Sequence, residues 1–339
     1  MRIEALATAI RQLAAGRSLD ANLAGDAFDA IMSGEASPAQ VAALLVGLRV
    51  KGETAEEVAG AAGALRRAML TMEARDPDQL VDTCGTGGGT LTTFNISTAA
   101  ALLAAGMGVR VAKHGNRSFT SRCGSADVLQ ALGVEIEVPP ERMEHVLETA
   151  GIVFMYAPIM HPAMRHVGAV RRELGIPTVM NIVGPLANPA RAGRQVVGVA
   201  EPARLPLIAG ALANLGSVHA LVVHGEPGMD EISPLGVTHV LEVREGQVRE
   251  WVIDPAELRL PPVTADEIGG GDPVENATLI ESLLAGEGSR GARAAVALNA
   301  AGALYVSESG LTFADAYQRS LEELSQGAGA RALERLRNA

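Results

Sequence analysis

Leu80-Val81-Asp82-Thr83-Cys84 runs into Gly85-Thr86-Gly87-Gly88-Gly89, then Thr90 to Thr93, and then Asn95-Ile96-Ser97-Thr98 at the head of an apolar run from Ala99 to Met107. A short apolar segment, a glycine loop and a helix start, in that order, can cradle phosphate. Glycines let the backbone approach an anion, and the following helix presents unpaired N–H groups and the positive end of its dipole. Plain turns also carry glycine runs, so the loop needs support from elsewhere in the chain.

Downstream, short apolar runs ending in glycine or charged loops alternate with helical segments, an α/β pattern. Val109 to Ala112, Ile152 to Met155, Gln195 to Ala200 and Ala220 to His224 are the expected buried strands, each with a ligand loop near its carboxyl end. Upstream, three helical patterns open the chain. The clearest starts at Ser37-Pro38-Ala39-Gln40, where a hydroxyl cap, a first-turn proline and a capping-box glutamine coincide, with Val41, Leu44, Leu45 and Leu48 on one face. Gly52 ends that helix, and Thr54 with Glu57 caps another carrying Val58, Leu65 and Met69. The expected fold is α/β: a small helical domain at 1–72, joined by a returning helical segment at about 162–188, and a larger α/β domain at 73–339 with a mostly parallel central sheet.

The 339 residues are ample for two cores, and 48% are hydrophobic but only 3% aromatic, which suits closely packed helices and buried parallel strands. A net charge of −11 argues against coating nucleic acid, which needs a dense cationic surface. Any anionic ligand must be held locally. Cys84 and Cys123 are far apart and lack metal-ligand spacing, so they read as reduced thiols in packed loops. Met1 to Arg17 reads as an amphipathic pattern interrupted by Glu4, not an export signal, and the longest apolar stretch is too short to cross a bilayer, so the expected location is the cytoplasm.

Two further strings carry chemistry. Lys113-His114-Gly115-Asn116-Arg117-Ser118, extended by Thr120, Ser121, Arg122 and Ser125, is expected on a loop just after a strand end, where a phosphorylated ligand is met in an open sheet. Asp230-Glu231 follows Gly225-Glu226-Pro227-Gly228. Adjacent carboxylates on an acidic chain are ordinary surface, yet a hard cation held by carboxylates and ligand phosphates is the usual way to bind Mg²⁺.

Five blocks together resemble anthranilate phosphoribosyltransferase: GTGG with N-x-S-T, KHGNR with GSAD-x-L-x-ALG, HPAMR-x-V with VR-x-x-LG, N-x-x-GPL-x-NP, and GEPG-x-DE. They span most of residues 80 to 240. The resemblance implies transfer of the phosphoribosyl group of phosphoribosyl pyrophosphate (PRPP) to the amine of anthranilate in tryptophan biosynthesis. It also implies Mg²⁺, two ions accompanying PRPP, and a homodimer formed through the helical domain.

The implied PRPP pocket comprises Gly85, Gly88, Gly89, Thr93, Asn95, Ile96, Ser97 and Thr98, then Lys113, His114, Gly115, Asn116, Arg117, Ser118, Thr120, Ser121 and Ser125. Ser97, Asp230 and Glu231 would serve the metal; Lys113, Asp230 and Glu231 would be the catalytic groups. Gly85, His114, Asn116 and Arg171 would meet anthranilate, which enters near His161. Two positions depart from the family pattern: Gly89 stands where GTGGD has aspartate, and Ala187 where the NP block usually has threonine.

PRPP brings its own leaving group, so no nucleophilic serine or cysteine is required; attack by the amine at C1 of the ribose would pass through a state of oxocarbenium character. One alternative is a pyrimidine nucleoside phosphorylase of the same fold, whose TGGT-x-DKLE segment is missing here. Another is a non-catalytic nucleic-acid-binding relative, against which Asp230-Glu231, the KHGNR string and the acidic charge all count.

Overall fold

The computed structural model describes residues 2–118, 122–308 and 310–339. Four helices open the chain where three patterns are expected: α1 (Arg2–Ala14), α2 (Ala21–Met32), α3 (Pro38–Lys51) and α4 (Ala55–Ala68). Asp20 caps α2 by accepting from Leu23 N at 2.8 Å. Both capping boxes read from the sequence form, Ser37 with Gln40 and Thr54 with Glu57. Glu57 is fully buried and satisfied: it accepts from Leu19 N at 2.9 Å and Thr54 N at 2.8 Å, and pairs with Lys51 Nζ at 2.9 Å.

The α/β part begins with β1 (Val81–Gly85), α5 (Ile96–Gly106), β2 (Val111–Gly115), α6 (Ser125–Ala131), α7 (Pro140–Ala150) and β3 (Ile152–Tyr156). The short α8 (Ala157–Met160), then α9 (Arg165–Leu174) and α10 (Met180–Val183), lead to β4 (Arg194–Gly198), α11 (Leu205–Asn214) and β5 (His219–Gly225). The hairpin of β6 (Thr238–Arg244) and β7 (Gln247–Ile253) precedes α12 (Pro273–Leu284), α13 (Arg290–Ser307), α14 (Phe313–Ser325) and α15 (Ala328–Arg337). The sheet order is β3-β2-β1-β4-β5-β6-β7, parallel through β5 and antiparallel over the last two pairings.

Side chains alternate across each strand, and two cores use this. Val196, Leu221 and Val223 face a core with α5 and α13, whereas Val197, Ala220 and Val222 face one with α11 and the opening helices. The second core also takes in Val167, Val170, Ile182 and Val183. α9 packs on α2 and α3, and α10 on α4.

Three expectations need correction. Lys113, His114 and Gly115 lie inside β2, paired with Phe154, Met155 and Tyr156, rather than on a loop after it. The strand runs on because the lysine, although buried, finds oxygen partners. Cys84 likewise belongs to β1, not a loop. The β6–β7 hairpin was not anticipated; its outer strand is largely exposed and lacks the apolar run of the interior strands.

Candidate active site

β1 has β2 on one side and β4 on the other, so the chain reverses its direction of progress across the sheet between β1 and β4. Ligands bind in open α/β sheets at such a crevice, beyond the carboxyl ends of the strands. Here the two strands end at Gly85 and Gly198, and the loop carrying Asp230 fills the space between them. A Cβ on Gly85 would lie 2.3 Å from Asp230 Oδ2, and one on Gly198 only 1.7 Å from Asp230 O. Both positions must be glycine for the carboxylate loop to seat.

The glycine loop and the carboxylate loop form one unit. Thr86 N donates to Gly198 O at 2.9 Å, Gly87 N to Asp230 Oδ2 at 2.8 Å and Thr90 N to Gly228 O at 2.9 Å; Thr90 Oγ1 donates to Pro227 O at 2.9 Å. Gly87 and Gly88 have φ of 69° and 84°, a left-handed path that favours glycine. Ser97 N, in the first turn of α5, donates to Glu231 Oε1 at 3.1 Å, so the helix dipole also steadies that carboxylate.

Electrostatics define what this unit lacks. Burial pushes Glu231 up to about 8, neighbouring Asp230 adds to the rise, and Lys113 only partly opposes it. Burial raises Asp230 as well, against the hydrogen bond from Gly87. Lys113, 2% exposed, donates to Thr83 O and lies 3.3 Å from Ser97 Oγ. Burial lowers its pKa, opposed first by Asp82. Two crowded carboxylates facing one buried ammonium favour an added cation. Among the described residues no three His, Cys, Asp or Glu groups converge on a metal position, so this is not an all-protein cage. That donor set fits Mg²⁺, which keeps one or two carboxylates and takes its other oxygens from water and substrate phosphates.

The pleat of β2 divides the chemistry. Lys113 turns toward Thr83 and Ser97, while His114 turns to the other face, its Nε2 3.1 Å from His161 Nε2. Burial, with His161 and Lys113, holds His114 down to about 3, and burial holds His161 at about 4, so both are neutral near pH 7 and one donates to the other. His114 N donates to the buried Asp82 Oδ1 at 3.1 Å. Burial also keeps the Cys84 thiol protonated, in keeping with chemistry that needs no thiolate.

The remaining candidates divide. Asn116 O accepts from Ala126 N at 3.2 Å and Ser125 Oγ at 3.3 Å, and a Cβ on Gly115 would lie 2.2 Å from Ser125 Oγ, so these three residues form a tight turn beside β2. Arg117 is drawn aside, paired with Asp127 at 2.8 Å and bonded to Gln130 at 2.9 Å. Ser118 N donates to the same Asp127 at 3.2 Å. Asn95 links loops, donating to Cys123 O at 3.1 Å and accepting from Asn276 at 3.0 Å. Ile96 and Thr98 are buried, Thr93 bridges to Gly269, and Gly89 lies beside Gly228 and Asp230. The Arg171 guanidinium on α9 has no ion pair or hydrogen bond among the described residues, and burial lowers its pKa. Thr120 and Ser121 lie outside the described residues.

Two residues of this region escaped sequence reasoning. Asn299 on α13, 3% exposed, accepts from Ile232 N and donates to Ile232 O, both at 2.9 Å, clamping the chain just after Glu231. Gly198 seats Asp230. Neither has a local signal, since their partners are distant in sequence.

The family descriptions "Glycosyl transferase family, helical bundle domain" and "Glycosyl transferase family, a/b domain" match residues 7–69 and 77–330. The chain is 47% identical to the anthranilate phosphoribosyltransferase of Anaeromyxobacter dehalogenans, over 97% of this chain and 96% of that one. It belongs to the anthranilate phosphoribosyltransferase family. A crystal structure of the family member from Thermus thermophilus superposes with a TM-score of 0.91 at 42% identity, covering 97% of this chain and 98% of that one. The Saccharomyces cerevisiae family member in complex with PRPP and Mg superposes with a TM-score of 0.89 at 27% identity, covering 98% of this chain and 97% of that one. The same yeast protein has also been solved with 4-fluoroanthranilate.

Proposed function

We propose that this protein transfers the phosphoribosyl group of PRPP to the amine of anthranilate, releasing pyrophosphate, in tryptophan biosynthesis. One observation carries the reading: in a chain related over nearly its full length to anthranilate phosphoribosyltransferases, the glycine loop and Asp230-Glu231 interlock at the switch point of the sheet.

The amine lone pair attacks C1 of the ribose while the bond from C1 to the pyrophosphate oxygen breaks. The bond's electrons leave with pyrophosphate, and the amine loses a proton after attack. Catalysis therefore rests on positioning and charge rather than on a covalent intermediate. Asp230 and Glu231, with Ser97, would hold Mg²⁺, whose chemistry is to neutralise charge on the departing pyrophosphate. Two ions per PRPP are part of the proposal. Lys113, buried beside Ser97, would stabilise the leaving group by its charge, and the N–H groups at the start of α5 favour phosphate oxygens. Asn116, Ser125 and the residues of the glycine loop complete the PRPP pocket. Arg171, with a guanidinium free to pair, holds the anthranilate carboxylate as a planar fork. Neutral His114 and His161 supply an uncharged wall on the acceptor side.

The proposed domain division puts 1–72 with 162–188 in one unit. Ile3 on α1 and Val50 on α3 are apolar and 37% and 82% exposed, and Ile176, just after α9, is 45% exposed, which supports a homodimer through this unit; light scattering would test it. Among the described residues no helix is long and apolar enough to cross a membrane, and the cytoplasm is the proposed location. The activity test is incubation with anthranilate, PRPP and Mg²⁺, following loss of anthranilate fluorescence. A well-folded preparation that leaves anthranilate untouched but splits thymidine with phosphate would overturn the assignment.

A further inference from the structure

Away from the crevice, a cleft of about 840 Å³ opens between the 257–261 segment, the first turn of α13 and one side of α14. That is within the size range of small-molecule sites. Arg259, Arg290 and Arg293 line it, and none lies within ion-pairing distance of a carboxylate among the described residues. Arg290 Nη2 reaches only Pro262 O, at 3.5 Å. The neighbouring Glu267 is already committed, accepting from Gly291 N at 2.9 Å and Thr264 N at 3.1 Å. Glu257 is the single carboxylate on the lining. Three guanidiniums against one carboxylate leave a cationic cleft on a chain of net charge −11.

The interior of the cleft offers an independent sign. Tyr317 lines it and is 1% exposed, yet its hydroxyl makes no hydrogen bond to any described residue. Burial raises its pKa, so it stays a neutral donor. The hydroxyl keeps what little solvent access the residue has, so it can donate to an oxygen placed in the cleft. Leu258 and Leu260 add partly buried apolar surface. Between them Arg259 takes φ of 58°, a conformation that residues with a Cβ rarely adopt, fixed by Arg259 N donating to Ala256 O at 3.0 Å and Leu260 N to Pro255 O at 2.9 Å.

We propose that this cleft is a second ligand site, for a small organic phosphate monoester. Guanidinium forks match phosphate oxygens, the tyrosine hydroxyl supplies a further donor, and the leucines receive the apolar body. None of its lining residues belongs to the crevice, so the site stands whether or not the proposed transfer reaction is right.

The test is calorimetric titration of the full chain with phenyl phosphate, and with inorganic phosphate for comparison. One equivalent of phenyl phosphate should bind, and inorganic phosphate at least about tenfold more weakly, since it leaves the apolar surface uncovered. Arg259→Ala/Arg293→Ala should weaken phenyl phosphate at least about 30-fold, and Tyr317→Phe about three- to tenfold, both with an unchanged circular dichroism spectrum. Lys113→Ala, in the crevice, should leave this binding as it is. Absence of binding at millimolar phenyl phosphate, or loss through Lys113→Ala with none through the arginine pair, would overturn the proposal.

Discussion

If Glu231 holds magnesium as proposed, binding depends on pH in a calculable way. With its carboxyl pushed up to about 8, the folded site holds a proton where a free glutamate would not. The unfolded chain has already released that proton near pH 4.5, so the metal-free protein loses stability as pH rises from about 4.5 through about 8. A cation must displace the proton, so affinity runs the other way. If proton and Mg²⁺ compete, apparent affinity is reduced by 1 + [H⁺]/Ka, about twofold at pH 8, about 11-fold at pH 7 and about 100-fold at pH 6. Binding at pH 7 should release about 0.9 proton per site. Calorimetric titration with Mg²⁺ and PRPP in buffers of different ionisation enthalpy reads both quantities. PRPP has phosphate groups that titrate near pH 6, so ligand protonation is measured separately and subtracted. Affinity unchanged between pH 6 and 8, with no proton release at pH 7, would refute the placement of the metal at this carboxylate.

Four other outcomes follow from the geometry. Asn299→Ala leaves both backbone groups of Ile232 without buried partners, so it should cost about 2–4 kcal/mol by urea denaturation and raise the Mg²⁺ needed for half-maximal rate. Gly198→Ala puts a Cβ where Asp230 O sits, and should lower kcat/KM at least about 100-fold with an unchanged circular dichroism spectrum, because the carboxylate loop must shift. Arg171→Ala should raise KM for anthranilate at least about tenfold and KM for PRPP less than about twofold; equal losses would make the arginine structural. Gly89→Asp starts a side chain 3.4 Å from Asp230 Oδ1, adding a third carboxylate to the cluster. Initial rates should then reach half-maximum at lower Mg²⁺ and fall when Mg²⁺ is abundant, unlike the natural chain, and superimposed profiles would show that Gly89 has no electrostatic role.

Sequence reading succeeded where the physics is local. Ser37 with Gln40 and Thr54 with Glu57 act within one helical turn, and both capping boxes form where expected. The buried parallel strands announce themselves as apolar runs, and the motif blocks carry the family. Strand ends are less legible because they turn on distant partners. Lys113 and His114 look like loop residues until Thr83, Ser97 and Asp82 are seen beside them. The β6–β7 hairpin hides for a different reason: Val248 and Val252 are about half exposed on the sheet edge, so the strand lacks the apolar run of its interior neighbours. Asn299 was the least legible of all. It is one polar residue in an alanine-rich helix, and its meaning lies in Ile232, 67 positions away.

An acidic protein that handles a polyphosphate must keep its own carboxylates from repelling the substrate, and the crevice does so by backbone geometry. Gly85 and Gly198 let the Asp230 loop sink between two strand ends, while Gly87 N–H and the first turn of α5 take up a carboxylate oxygen each. Without those donors, two adjacent carboxylates beside a single lysine would have no reason to stay near a phosphate pocket. With them, the carboxylates are held close, while burial first and the neighbouring Asp230 second push Glu231 upward against the single ammonium of Lys113. The carboxylate unit is thus suited to a substrate that arrives with counter-charge. Strand β2 sends Lys113 toward Thr83 and Ser97 and His114 toward His161, which the proposed mechanism would use as its phosphate and acceptor sides. A strand places successive side chains on opposite faces at no conformational cost, so in the proposed mechanism one dipeptide would separate the leaving-group side from the acceptor side. A helix would set successive side chains only about 100° apart and could not divide them so cleanly.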